Sequence, residues 1–146
     1  MKIRELMSSP VVRIHPEESV AVAARTLARN NIGILPVCGS DGHLCGLVTD
    51  RDLVTRCIAS GRVPAQTPVR EVMTTQILSA RPDMDACTAA RLMGRAQIRR
   101  LPVLENGRLC GMVSLGDLAV REETNPDASE ALEGISSGLT DRKIHP

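Results

Sequence analysis

The chain of 146 residues contains no Phe, no Tyr and no Trp. An aromatic platform for stacking nucleic-acid bases is therefore excluded, as is an aromatic cage for a quaternary ammonium. The same absence excludes a Tyr general acid. Long apolar runs are missing too. Residues 20–24 are typical of those present, far short of the roughly 18 residues that a membrane span needs. Charge of one sign is also lacking. Against 18 Lys plus Arg stand 17 Asp plus Glu, a formal net charge of +1. That balance supplies no field for nucleic acid or for an anionic membrane. The opening Met1-Lys2-Ile3-Arg4-Glu5 lacks the apolar centre of a secretion signal. The five cysteines show no even framework of spacings. The expectation is a cytoplasmic protein with reduced thiols.

What is present is an ordinary globular balance, 42% hydrophobic and 24% charged. A chain of this length buries roughly 70% of its unfolded surface on folding, enough for a core without staples. That core has to be built from Leu, Ile, Val, Met, Ala and Cys.

The chain repeats itself. Displaced by 66 residues, residues 3–38 fall on 69–104, and 12 of the 36 paired positions are identical. One residue is then lost in the second copy, and residues 42–53 fall on 107–118 with seven of 12 identical. The lost residue lies in a turn, where length changes are tolerated.

Each copy reads in the same order. A Met-containing leading segment runs into a short apolar stretch, Val11-Val12-Arg13-Ile14 or Ile77-Leu78-Ser79-Ala80. A proline follows (Pro16, Pro82), then acidic residues suited to a helix start. Apolar residues at helical spacing come next: Val20, Ala23, Ala24 and Leu27, matched by Ala86, Ala89, Ala90 and Met93. Two strands are expected around Asp41-Gly42 and around Asn106-Gly107, strong hairpin signals. Pro36 and Pro102 inside the first of these strands belong at a strand start or on an edge. A second helix closes each copy, expected over 52–60 in the first, with Gly61 as its stop. The fold class expected is α/β (α+β), two tandem β-α-β-β-α repeats of about 60 residues, packed with pseudo-twofold symmetry. The boundaries are 1–62 and 63–122, followed by a polar tail at 123–146. Residues 121–146 hold six acidic and three basic residues. The tail reads as mobile, or as one short helix over 129–135.

This duplicated pattern resembles a pair of CBS domains, the Bateman module. The residues that carry the resemblance are Ile34-Leu35-Pro36-Val37 with Gly46-Leu47-Val48-Thr49-Asp50-Arg51-Asp52-Leu53. Their partners are Arg100-Leu101-Pro102-Val103 with Gly111-Met112-Val113-Ser114-Leu115-Gly116-Asp117-Leu118. The likeness covers roughly residues 1–120. With no catalytic domain attached, the chain is similar to stand-alone bacterial pairs of the hypoxic-response type. The resemblance implies a non-catalytic sensor that binds AMP, ADP, ATP, S-adenosylmethionine or NAD in clefts between the repeats. It also implies regulation of an unidentified protein partner and a homodimer formed through helices 18–30, 52–60 and their counterparts. No cofactor is required.

Thr49-x-x-Asp52 and Ser114-x-x-Asp117 are the candidate ligand-binding pairs. A carboxylate where a strand passes into a helix can accept from both ribose hydroxyls, and the hydroxyl residue can meet phosphate or ribose oxygens. The same spacing is also a helix-capping box, and one Asp can serve both roles. The resemblance places a phosphate-contacting arginine at Arg100. Ile34 stands there in the first copy, so the two clefts are expected to differ. It also places Val12 and Ile77 against the adenine, although ordinary core packing accounts for both. An alternative is a thiol or metal sensor built from Cys38, His43 and Cys45, which a hairpin turn could gather. A further alternative is a dimeric interaction module without a ligand. No nucleophile, Walker-type loop or zinc-hydrolase motif suggests an enzyme.

Overall fold

The computed structural model describes residues 1–119. The expected tail at 123–146 lies outside the described residues. In chain order, a 3-10 turn at Ile3–Glu5 leads to helix α1 (Val20–Asn30). Strands β1 (Ile34–Cys38) and β2 (Leu44–Thr49) follow. Helix α2 opens as Asp50–Asp52 and widens into a π-helical stretch, Leu53–Ile58. Two 3-10 turns, Pro64–Gln66 and Val69–Glu71, precede helix α3 (Ala86–Ala96). Strands β3 (Arg100–Glu105) and β4 (Arg108–Ser114) and helix α4 (Leu115–Ala119) repeat the order. The mixed α and β class is the expected one.

Helices α1 and α3 share their local logic. The Ser19 side chain accepts from the Val22 N–H at 3.2 Å, and the Asp85 carboxylate accepts from the Cys87 N–H at 3.1 Å. These bonds satisfy amides that a helix N-terminus leaves unpaired. Both helices end on a left-handed residue, Asn31 and Gln97. The two hairpins differ as the one-residue gap implies. Asn106 and Gly107 both have positive φ, 54° and 79°, the geometry of a two-residue turn matched to strand twist. The longer first turn is absorbed by an irregular register between Val37 and Cys38.

The expected first strand of each repeat is present only as one bridging residue. Ile14 pairs in parallel with Val37, and Ala80 with Val103. The Ile14 N–H donates to the Pro36 carbonyl and its carbonyl accepts from the Cys38 N–H. Ala80 does the same with Pro102 and Leu104. Continuing either parallel ladder toward the N-terminus needs an N–H from Pro36 or Pro102, which has none. The prolines therefore end the pairing. Among the described residues no backbone hydrogen bond involves residues 11–13 or 77–79.

The chain divides into two compact units, each assembled from separated stretches. One contains Met1–Val11, Leu78–Glu105 and the described residues from Cys110 on. Its core includes Ile3, Ala89, Met93, Leu101, Val113 and Leu118, each fully buried. The Ile3 N–H donates to the Met84 carbonyl, and Ser8 and Met112 exchange backbone hydrogen bonds of 2.8 and 3.1 Å. The other unit contains Val12–Ile77 with Asn106–Leu109. Its core includes Val20, Ala23, Leu35, Val48, Cys57 and Val69. There the Val69 N–H donates to the Glu18 carbonyl, and Leu47 and Thr74 exchange bonds of 2.9 and 2.8 Å. Each unit thus joins the leading segment of one repeat to the helices and hairpin of the other. A glycine makes each seat possible. A Cβ on Gly46 would lie 2.8 Å from the Thr74 carbonyl oxygen, and one on Gly111 would lie 3.1 Å from that of Ser8.

Candidate functional site

Both candidate pairs sit where a return strand becomes a helix. The Thr49 hydroxyl accepts from the Asp52 N–H at 3.1 Å, and the Asp52 carboxylate accepts from the Thr49 N–H at 3.0 Å. Ser114 and Asp117 repeat the exchange at 3.1 and 3.2 Å. Each pair is therefore a complete capping box, which uses one carboxylate oxygen, Oδ2, and leaves Oδ1. In Asp52 that oxygen stands 3.8 Å from Arg56 Nε, with the Asp52 side chain only 13% exposed. For Asp117 no other hydrogen bond is found among the described residues. The capping role and a binding role are compatible because they use different oxygens.

The junctions differ in the residues that face them. In the second repeat the Leu115 N–H donates to the Arg99 carbonyl at 2.9 Å. This bond draws the exposed pair Arg99 and Arg100 to the junction that holds Ser114. In the first repeat the equivalent bond, 3.1 Å long, runs from the Asp50 N–H to the Gly33 carbonyl. Gly33 and Ile34 bring no cation there, and the Asp50 carboxylate lies 3.5 Å from where a Gly33 Cβ would stand. The second junction thus has two arginines suited to an anionic group, and the first has Gly33 and Ile34 in their place. Asp50 is a residue that sequence reasoning missed, although its alignment with Leu115 was visible.

Ile77 is half-buried and lies in the same compact unit as Thr49 and Asp52. Val12 begins that unit and is 40% exposed. Both lie in the stretches free of backbone pairing, so their N–H and C=O groups are left to solvent or a ligand.

Among the described residues, Cys38, His43 and Cys45 do not form the metal set of the alternative reading. Among the described residues no group of three His, Cys, Asp or Glu side chains could hold a metal ion. His43 Nδ1 turns instead to the Asp41 carboxylate at 2.9 Å. The His43 N–H also donates to that carboxylate, which holds Asp41 below its ordinary carboxylate value. Cys38 is buried, and burial pushes its thiol up, partly offset by Arg13. Cys45 is exposed. Strand β1 is buried at four successive positions ending in Cys38, whereas Cys45 lies at an exposed position of β2. No disulfide links the five cysteines, and no helix among the described residues is long and apolar enough to cross a membrane.

The fold and the twin junctions define a tandem pair of CBS domains, and the CBS family model matches residues 3–58 and 69–122. The chain belongs to the CBS-domain family, whose pairs are generally regulatory modules. It is 41% identical over 134 residues to the CBS domain-containing protein YhcV of Bacillus subtilis, covering 92% of this chain and 94% of that one. It is 32% identical over 116 residues to Hypoxic response protein 1 of Mycobacterium tuberculosis, covering 80% and 81%. A crystal structure of Hypoxic Response Protein I, with two coordinated zinc ions, superposes with a TM-score of 0.77 at 30% identity, covering 83% of this chain and 98% of that chain. The CBS domain pair of protein MJ0100, solved with 5-methylthioadenosine and S-adenosyl-L-methionine, gives 0.71 at 26% identity, covering 82% and 94%.

Proposed function

We propose that this CBS pair is a non-catalytic, cytoplasmic sensor that binds an adenosine-containing ligand and regulates a protein partner. The observation that carries the reading is the duplicated junction. In each repeat an Asp held by its cap keeps one carboxylate oxygen beyond the capping bond, placed to accept from a ribose diol. Arg99 and Arg100 extend the second junction toward phosphate, so AMP, ADP or ATP fits there. The first junction, with Asp50 and no matching arginine, favours a nucleoside or a ligand without phosphate. Support from relatives comes from the MJ0100 pair, which was solved with two adenosine compounds. Any regulation needs different ligand affinity in the two states of the module.

The absence of aromatics makes the test direct. The purified protein should show absorbance near 260 nm that is lost after denaturation and filtration. In calorimetry, Asp117→Asn preserves the cap and removes the charge, and should weaken AMP binding by about 1–3 kcal/mol. Unchanged affinity in a folded variant would remove Asp117 from the site.

A second reading, a dimeric interaction module, is favoured by one feature. Helix α1 and the Leu53–Ile58 stretch border an apolar groove of about 400 Å³. Val54 and Ile58 on it are 58% and 56% exposed. A second copy of this chain is the occupant proposed, giving a homodimer. A stable dimer by light scattering with no thermal shift from any adenosine compound would favour this reading over the sensor.

A further inference from the structure

Arg56 plays no part in the capping box, yet it reaches two places at once. Its Nε stands 3.8 Å from Asp52 Oδ1. Its Nη1 donates to the carbonyls of both Val72 and Met73, each at 3.1 Å. Those two residues close the 3-10 turn Val69–Glu71, since the Val72 and Met73 N–H groups both donate to the Val69 carbonyl. The next residue, Thr74, is the one that exchanges hydrogen bonds with Leu47 beside Gly46. Three residues further on is Ile77, with no backbone hydrogen bond among the described residues. One guanidinium therefore connects the candidate ribose carboxylate to the segment that leads to the candidate adenine wall. The π-helical widening begins at Leu53, directly after Asp52, and such widenings recur at functional sites. In sequence the pattern Asp52-Leu53-x-x-Arg56 recurs as Asp117-Leu118-x-x-Arg121.

We infer that Arg56 is a positioning residue that ties the state of Asp52 to the seating of the Met73–Thr74 segment on strand β2. This inference rests on the proposed ligand reading for its function, but not for its geometry. The Asp52 carboxylate lies within ion-pair distance of the guanidinium, and the guanidinium donates to the two carbonyls. A planar fork can serve three acceptors together, whereas a lysine ammonium is a single point charge on a flexible stem. A ligand hydroxyl donating to Asp52 Oδ1 competes for the oxygen that Arg56 faces. Occupancy of the site and seating of the segment are then linked, and the linkage is reciprocal.

The test has two independent arms, with circular dichroism to show that each variant folds. In the ligand-free protein, amide hydrogen exchange at Leu47 and Thr74 reports the seat. Arg56→Met should speed exchange at both amides by roughly tenfold, the scale of losing hydrogen bonds from a charged donor. Asp52→Asn should speed it less, and the double variant should match Arg56→Met alone, because both changes cut one chain. Arg56→Lys should fall between wild type and Arg56→Met, which keeps the test alive if the methionine variant does not fold. In the second arm, calorimetry with adenosine should show Arg56→Met weakening binding roughly three- to tenfold, with no further effect in an Asp52→Asn background. Exchange at Leu47 and Thr74 unchanged by Arg56→Met, or effects of the two substitutions that simply add, would overturn the inference. If wild type binds no adenosine compound, the ligand reading fails, and the exchange arm still decides the link.

Discussion

The two repeats share the same element order and the same capping boxes, yet they differ at several positions around the strand-to-helix junctions. Ala90 and Leu115 are buried in the second repeat, whereas their counterparts Ala24 and Asp50 are exposed in the first. Arg99 and Arg100 are replaced by Gly33 and Ile34. Duplication keeps what the backbone needs, namely the prolines that end a ladder, the glycines under a leading segment and the caps. Outward positions are mixed, with Arg25 and Arg29 kept as Arg91 and Arg95 but Gly33 and Ile34 standing against Arg99 and Arg100. The lesson is that one backbone plan can carry two chemically distinct junctions.

The largest expected effect probes the shared part of the plan. Gly46→Ala should cost about 2 kcal/mol and Gly111→Ala about 1 kcal/mol, within the range for overpacking. The order follows from the nearest backbone carbonyl oxygen, 2.8 Å from the added carbon in the first case and 3.1 Å in the second. Methionine side chains, Met73 and Met7, also stand in the way, but their flexible ends can move. Urea midpoints measure both costs, and equal losses would show that the carbonyl distance does not set the penalty.

A smaller effect probes the difference in charge. Arg100→Ala should reduce AMP affinity about tenfold while leaving adenosine affinity nearly unchanged, because only the phosphate loses a charged partner. Ile34→Arg should move the first junction in the opposite direction. Equal losses for AMP and adenosine in a calorimetric titration would remove the phosphate role from Arg100.

The smallest effect compares an aligned pair of thiols. Cys45 is exposed, whereas Cys110 is partly buried and donates to the Val103 carbonyl at 3.3 Å. Burial first, and then Glu105, push the Cys110 thiol above its ordinary value of 9.0. A raised pKa means less thiolate at neutral pH, and the thiolate is the reactive form. Iodoacetamide at pH 7 should therefore label Cys45 well before Cys110, and Cys110 labelling should rise only as the pH passes 9.0. Mass spectrometry of the labelled chain reads this order, and equal rates at pH 7 would contradict the different settings of the two thiols.

Much of the site was legible because it is local. A capping box spans four residues, so Thr49 with Asp52 and Ser114 with Asp117 could be read directly from spacing. Arg100 could be read from its contrast with Ile34. Arg56 could have been found from the recurring Asp-Leu-x-x-Arg, but its partners at Val72 and Met73 lie 16 and 17 residues away. The alternative metal set shows the limit of closeness in sequence. Cys38, His43 and Cys45 are close in sequence, but Cys38 is buried, Cys45 is exposed and the Asp41 carboxylate takes the imidazole.

By itself the sequence determined the duplication, the hairpins, the helix caps and an aliphatic core without aromatic rings. These depend on turn residues, on spacing and on composition, all of which act over a few residues. Only the tertiary structure decided which leading segment covers which hairpin. Arg4-Glu5-Leu6-Met7 and Arg70-Glu71-Val72-Met73 are nearly interchangeable as sequences, so no local rule distinguishes their seats. The choice belongs to the packing of Ile3 and Val69 into separate cores. The structure likewise decided where each parallel ladder stops, because a proline removes a hydrogen bond only once its partner strand is known.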